Sequence, residues 1–240
     1  MAKTRALILA AGKGKRMQTE YPKVLLTLKG IPMISHVINA LKLPEIERIG
    51  LIVREEHLED IRRTAGESVD MIVQKEALGT GQAVMCAAEW LQDFEGNLIV
   101  VAGDAPFITR ELMTDLIRQH ETSGSQCTLL SAIWPDTPAY GRIVRDVAGN
   151  FVKIVEEKDA TEAEKAFREV STSHYIFDAR ELFLALPEIR NDNAQEEYYL
   201  PDVVRIMIER NMKVNVLKVS DYRLTRGINT MEELREFSQN

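Results

Sequence analysis

Cysteine and histidine are scarce in this chain, two and four among its 240 residues. Cys86 and Cys127 stand far apart in apolar surroundings with no CxxC spacing, which argues against a disulfide framework or a redox pair, and both thiols read as buried. His36, His57, His120 and His174 are scattered, so no zinc site of ordinary ligand spacing is expected. No apolar run reaches the ~18 residues of a membrane-crossing helix, and the apolar part of the N-terminal "MAKTRALILAAGKGK" is too short for a signal peptide. The expected location is the cytoplasm, with no membrane partner. Positive charge is short as well. A net charge of -7 gives no field to recruit a polyanion, so no nucleic-acid partner is expected, although a local basic pocket stays open.

Linkers rich in Gly, Pro or Ser and internal repeats are also lacking, and one domain over residues 1–240 is the expected layout. Short apolar runs recur at "RALILA" (5–10), "IGLIV" (49–53), "DMIVQ" (70–74) and "NLIVVAG" (97–103), with helical patterns between several of them. Ile31, Ile34, Ile38 and Leu41 fit one helical face, and "GTGQAVMCAAEWL" from Gly79 reads as a helix opened by a glycine turn. Continuous apolar strands, rather than alternating ones, predict a mostly parallel sheet covered on both faces in an α/β fold.

After Asp104 the texture changes. A helix is expected near Thr109 to His120, then the strand "CTLLSAIW", then a hairpin in "GRIVRDVAGNFVKIVEE", whose alternating runs flank the turn-forming "AGN". A helix near Ala160 to Arg168, the strand "STSHYIF", amphipathic segments from Asp178 and Tyr198, and the strand "KVNVLKV" follow. Thr230 with Glu233 fits a capping box, which places Asn229 just before a last short helix. The expected parts are a half over about 1–107, a second half with a β-rich insertion over about 108–228, and a closing turn and helix over 229–240.

The stretch "LILAAGKGKRM", Leu7 to Met17, carries the first chemical signal. A Walker loop fails here, because Arg16 follows Lys15 where Ser or Thr is needed and Leu9 stands where the first glycine belongs. A dinucleotide fingerprint fails too, because Met17 occupies the third glycine position. What both motifs share does survive. A strand ends, the small residues Ala10, Ala11, Gly12 and Gly14 let backbone N–H groups approach an anion, and cations follow. Taken alone, this pattern fits a polyphosphate cradle and a basic exposed turn equally well.

The following residues bring Pro22 and Lys23 one short loop later. With them the sequence resembles the sugar-nucleotide pyrophosphorylases, a nucleotidyltransferase family whose signature is L-A-A-G-x-G-(T)-R-M followed by P-K. Within that family it is most similar to the uridylyltransferase domain of bifunctional N-acetylglucosamine-1-phosphate enzymes. The blocks "QKEALGTGQAV" (74–84), "VAGDAPF" (101–107), "YGRIV" (140–144), "IVEEKDAT" (154–161), "NDNAQEEYYLPDVV" (191–204) and "RGINTMEEL" (226–234) match in order, so the likeness covers nearly the whole chain.

The resemblance implies a Rossmann-like three-layer nucleotidyltransferase fold. It also implies a reaction in which a sugar 1-phosphate attacks the α-phosphate of a nucleoside triphosphate, UTP first in line, and pyrophosphate leaves. Because an anion attacks an anion, charge neutralisation is the main task, and the ionised nucleophile needs no strong base. By position, the resemblance makes Arg16 and Lys23 the catalytic cations. It gives the nucleotide Leu9, Ala10, Ala11, Gly12, Gly14, Lys15, Gln74, Gly79, Thr80 and Gly103, with Gln74 reading the base. It gives the sugar Gly141, Glu156 and Ser171, while Glu157 reads as a hairpin charge. Asp104 and Asn229 form a hard oxygen pair suited to Mg²⁺, the implied cofactor.

Several positions depart from the pattern. Lys15 replaces the usual threonine, Ala102 replaces a tyrosine, and Ser171 with Ser173 replaces the asparagine and glycine of "INTG". The first two touch nucleotide binding and the last two the sugar, so another base (dTTP or CTP) or another acceptor stays open. Pro201 stands where threonine is usual. No hexapeptide repeat is present, so acetyl transfer from acetyl-CoA is not expected, and no oligomeric state is implied. A non-catalytic nucleotide-sugar sensor is the reading from another class, although the chain keeps Arg16, Lys23, Asp104 and Asn229.

Overall fold

Continuous apolar strands call for cover on both faces, and the computed structural model, which describes residues 2–12, 14, 17 and 21–239, has that arrangement. In chain order the strands are β1 (Thr4–Leu9), β2 (Thr27–Leu28), β3 (Ile31–Pro32), β4 (Ile46–Val53), β5 (Val69–Val73), β6 (Asn97–Ala102), β7 (Cys127–Ile133), β8 (Arg142–Arg145), β9 (Phe151–Val155), β10 (Glu169–Asp178) and β11 (Val214–Val219). The helices are α1 (Met33–Leu41), α2 (Leu58–Ala65), α3 (Thr80–Met85), α4 (Arg110–Ser123), α5 (Glu162–Lys165), α6 (Ala179–Ala185), α7 (Pro201–Glu209) and α8 (Met231–Gln239).

The main sheet runs β11-β7-β10-β6-β1-β4-β5, with the β8–β9 hairpin branching from β10. β1 is parallel to β4 and β6, β5 is parallel to β4, and β11 is parallel to β7. β10 alone on this path is antiparallel, to β6 on one side and β7 on the other. The sheet is therefore mixed but mostly parallel, and the fold is Rossmann-like α/β.

Alternation along β1 divides the core. Ala6 and Ile8 pack with Ile34, Val37, Ile61 and the α4 residues Leu112 and Leu116 on one face. Leu7 packs with Val84, Leu182 and Val203 on the other. Since α1 and α2 lie on one face and α3 on the opposite one, the chain leaves β1 in two directions. That creates a topological switch point between β1 and β6, where open α/β sheets place their ligands.

Local chemistry explains several element ends. Thr109 caps α4 by accepting from the Leu112 N–H at 3.2 Å, and Gly124 ends that helix in the left-handed region at φ 59. Pro201, opaque in the sequence, stands in the first turn of α7, where its missing N–H costs nothing. Ile31 belongs to β3 and is 46% exposed, so it does not share the buried face of Ile34, Ile38 and Leu41. Lys29 and Gly30, both at positive φ, make the tight turn between β2 and β3 that moves Ile31 off the helix. Cys127 is buried, but Cys86 is only partly so, and both are free thiols.

Candidate active site

Loops leaving the carboxyl ends of β1, β5 and β6 open onto one cleft of about 690 Å³, lined at that end by Leu9, Ala10, Ala11, Gly12 and Gly14. The Ala10 N–H donates to Ile52 O at 2.9 Å, which carries β1 one residue past its strand before the backbone turns outward. A Cβ at Gly12 would meet nothing within 4 Å among the described residues, which leaves this backbone open on their side. Gly14 has φ +55, a conformation that glycine adopts without a Cβ penalty. Gly103 lies behind this loop: its N–H donates to Leu9 O at 2.9 Å, and it is buried and outside the cleft lining. Lys15 and Arg16 fall outside the described residues.

Three distant residues meet at the switch point. Lys23 Nζ is bonded to Asp104 Oδ2 and donates to Asn229 Oδ1 at 3.2 Å. Asp104 follows β6, and the Ile228 N–H donates to its backbone oxygen at 2.9 Å, which ties the C-terminal segment to the sheet. Asn229 is set by the capping box expected from the sequence. Its N–H donates to Glu233 Oε2 at 2.6 Å, Thr230 N–H donates to the same oxygen at 3.2 Å, and Glu233 N–H donates back to Thr230 Oγ1 at 3.2 Å. Gly227 leaves room beside them, since a Cβ there would lie 3.3 Å from both Asp104 Oδ1 and Tyr140 Oη.

The Asp104 and Asn229 oxygens thus converge on one positive charge, and a carboxylate with an amide carbonyl is a donor set of the hard kind that Mg²⁺ accepts. Among the described residues, no group of three or more His, Cys, Asp or Glu could hold a metal. The residues present fit a shared site, completed by waters and substrate oxygens, rather than a closed protein cage.

At another edge of the cleft, Gln74 follows β5 and is 4% exposed. Its Nε2 donates to Gln82 Oε1 at 2.5 Å and faces Gly79 O at 3.4 Å, which leaves its carbonyl oxygen to accept. Gly79 has φ +111, and a Cβ there would fall 2.6 Å from Tyr198 O and 2.7 Å from Tyr198 N. The turn is therefore pressed against backbone. Thr80 Oγ1 accepts from Leu200 N–H at 3.0 Å, so its hydroxyl also clamps the 198–200 segment.

At the far end, Glu156 lines the cleft while Gly141 packs behind it, a Gly141 Cβ lying 3.2 Å from Glu156 Oε1. Burial, helped by Asp159, Asp202 and Glu197 nearby, pushes the Glu156 carboxyl up to about 7. Glu157 lines the cleft as well. β9 ends at Val155, so the strand alternation that would send adjacent residues to opposite faces no longer applies. Ser171 is turned away: it is 3% exposed and shares a 3.1 Å hydrogen bond with Tyr175 Oη.

Tyr140, His174 and Gln195 line the cleft without having been singled out by sequence, and Ser173, named there as a departure on the sugar side, lines it too. Tyr140 Oη accepts from Gly227 N–H at 2.9 Å, and burial raises its phenol to about 12. Burial lowers His174 to about 4; its Nδ1–H donates to Thr172 O, and Nε2 has no partner among the described residues. Tyr140 stood beside the quoted "YGRIV" glycine, a signal that was available. No pattern marked His174 or Gln195.

Residues 6–195 match the MobA-like NTP transferase domain family. Bifunctional GlmU proteins are 41% identical over 98% of this chain in Brevibacillus brevis and 40% identical over 93% of it in Shouchella clausii. The matches take in 51% and 49% of those proteins, so the chain spans about half the length of the curated relatives it matches. A solved structure from Bacillus anthracis, described as a glucose-1-phosphate thymidylyltransferase in complex with a sucrose, shares the fold at a TM-score of 0.78. It is 19% identical and covers 98% of this chain and 94% of its own. The chain belongs to the MobA-like NTP transferase domain family and is a nucleotidyltransferase domain.

Proposed function

We propose that the chain joins a sugar 1-phosphate to a nucleoside triphosphate, with UTP and N-acetylglucosamine 1-phosphate or a related hexose phosphate as its substrates. The convergence of Lys23, Asp104 and Asn229 where β1 and β6 diverge carries this reading. A phosphate oxygen of the sugar phosphate forms a bond to the α-phosphorus. The bond from that phosphorus to the bridging oxygen breaks, and its electron pair leaves on pyrophosphate.

Both reactants are anions, so the barrier is mainly electrostatic. Lys23, 13% exposed at its side chain, offers a cation where bulk water screens it poorly. Arg16 is the second cation of the proposal, and Lys15 remains a candidate for the triphosphate. Open backbone at Ala11, Gly12 and Gly14 suits the phosphates. The unengaged carbonyl oxygen of Gln74 suits the imide N–H of uracil. Glu156 and Gly141 suit the sugar. Asp104 and Asn229 would hold Mg²⁺, which supplies charge neutralisation and a template for the phosphate oxygens when bound.

The decisive experiment measures pyrophosphate release across a grid of UTP, dTTP, CTP and other triphosphates against several sugar 1-phosphates. Release should need both substrates and be highest with UTP. Nucleotide binding without turnover anywhere on the grid would favour a sensor instead. Asp104→Ala should lower kcat by about 10²-fold or more, and full activity in that variant would refute the metal assignment.

A further inference from the structure

Strand β10 breaks its ladder inside the cleft. It advances from Ser171 to Tyr175 while its partner β7 advances only from Ser131 to Leu129, so two surplus residues bulge out between the paired ends. Both flanks of the bulge are fixed. Thr172 is 3% exposed and donates to Leu130 O at 3.1 Å, while His174 is 1% exposed and bonds Thr172 O. Ser173 is forced outward between them, exposed and on the cleft wall.

Its backbone sits at φ 59, a left-handed conformation that disfavours any side chain with a Cβ. The Ser173 hydroxyl has no hydrogen-bond partner among the described residues, so none of them offsets that cost. A strained residue with an unused polar group, held by anchored neighbours and facing a cleft, is arranged for a ligand.

Its place in the cleft narrows the ligand. The Ser171 N–H donates to Gly141 O at 2.8 Å, which ties one end of the bulge to the Glu156 side. Asp104, Asn229 and Glu156 line the same cleft as Ser173 and His174. Ser173 therefore shares one cleft wall with the Asp104 and Asn229 oxygens and with Glu156, the part of the cleft where a hexosyl group bearing several hydroxyls would lie. Ser171, the sugar contact implied by resemblance, is buried and engaged with Tyr175.

We infer that Ser173 is a specificity residue of this chain, its hydroxyl bonding the hexosyl part of the sugar phosphate. This rests on the reading under Proposed function. Ser173→Ala removes the hydroxyl and keeps the strain, whereas Ser173→Gly removes both. Both variants should raise KM for the preferred sugar 1-phosphate about threefold to tenfold, with KM for the triphosphate within about twofold of wild type. Ser173→Gly should also raise Tm, which separates lost contact from lost stability.

The wild-type grid is run first, to identify the sugar phosphate used. If the wild type turns over no sugar phosphate, both readings fall together. If it does, and the two variants keep its sugar KM, this inference alone is overturned. Equal rises in both substrate constants would likewise overturn it, since a general distortion of the cleft would be the cause.

Discussion

Glu156 is a cleft residue whose charge costs the fold stability. Its carboxyl is raised to about 7 by burial, by Asp159, Asp202 and Glu197, and against the opposing pull of Arg142. The unfolded chain would release that proton near the ordinary value of about 4.3. Between those two values the native state holds a proton that the unfolded state has lost, so this contribution is full at low pH and disappears as pH rises through about 7. His120 and His174, both lowered to about 4 by burial, act in the opposite sense and destabilise the fold as pH falls from about 6.5. Comparing Glu156→Gln with wild type cancels the histidine contributions. The two should melt together near pH ~4.5, and the variant should gain up to about 3 kcal/mol by pH ~8, read as Tm against pH. A constant difference across that range would show that Glu156 titrates normally. Lys23 gives a second test at this scale. Lys23→Met leaves Asp104 without its ammonium partner and should cost about 1–2 kcal/mol in metal-free protein, with millimolar Mg²⁺ restoring part of the loss.

Elements decide which of these residues could be foreseen. The strands β1, β4, β5 and β6 were legible because burial on both faces writes itself as unbroken apolar runs, and α4 because Thr109 caps it before an amphipathic stretch. The β2–β3 hairpin was not, since strands of two residues leave no period to detect. The antiparallel insertion of β10 between β6 and β7 was equally hidden, because a run such as "STSHYIF" names no partner. The glycine turn before α3 was legible as a turn, but its cause lies 119 residues away, in the Tyr198 backbone that fills the space of a Gly79 Cβ. Gly79→Ala should accordingly cost at least about 2 kcal/mol and raise KM for the triphosphate, because backbone cannot yield as a side chain can. Gly12→Ala is the contrasting case. With no described residue within 4 Å of its Cβ it should barely change Tm, yet the methyl would stand over the proposed phosphate cradle and raise the same KM. Tm and KM measured on both variants separate the turn's packing from the loop's chemistry.

Across the whole molecule the site is assembled by residues 81 and 206 positions apart from Lys23, and no local pattern links such distances. The sheet supplies Asp104, a short turn after Pro22 supplies Lys23, and the C-terminal segment brings Asn229 back over the switch point. A small apolar cluster of Met17, Leu28, Met33, Ile228 and Leu234 holds that last segment down, with Phe237 set edge-on to Phe107 at a centroid distance of 5.2 Å. On the proposed function, ligand binding at Asn229 is coupled to the packing of α8. UTP with Mg²⁺ at about 100 times its dissociation constant should add ~2.7 kcal/mol, raising Tm by roughly 5–10 °C for a chain of this size. Phe237→Ala removes the edge contact and the ring under Arg226, whose guanidinium lies 4.4 Å from its centroid. That variant should lose about 1–3 kcal/mol of stability. It should also show a smaller Tm rise with UTP and Mg²⁺, because ligand binding must then order the Asn229 turn that α8 no longer holds. An undiminished rise would mean that Asn229 is positioned by its capping box alone, independently of the helix packing beyond it.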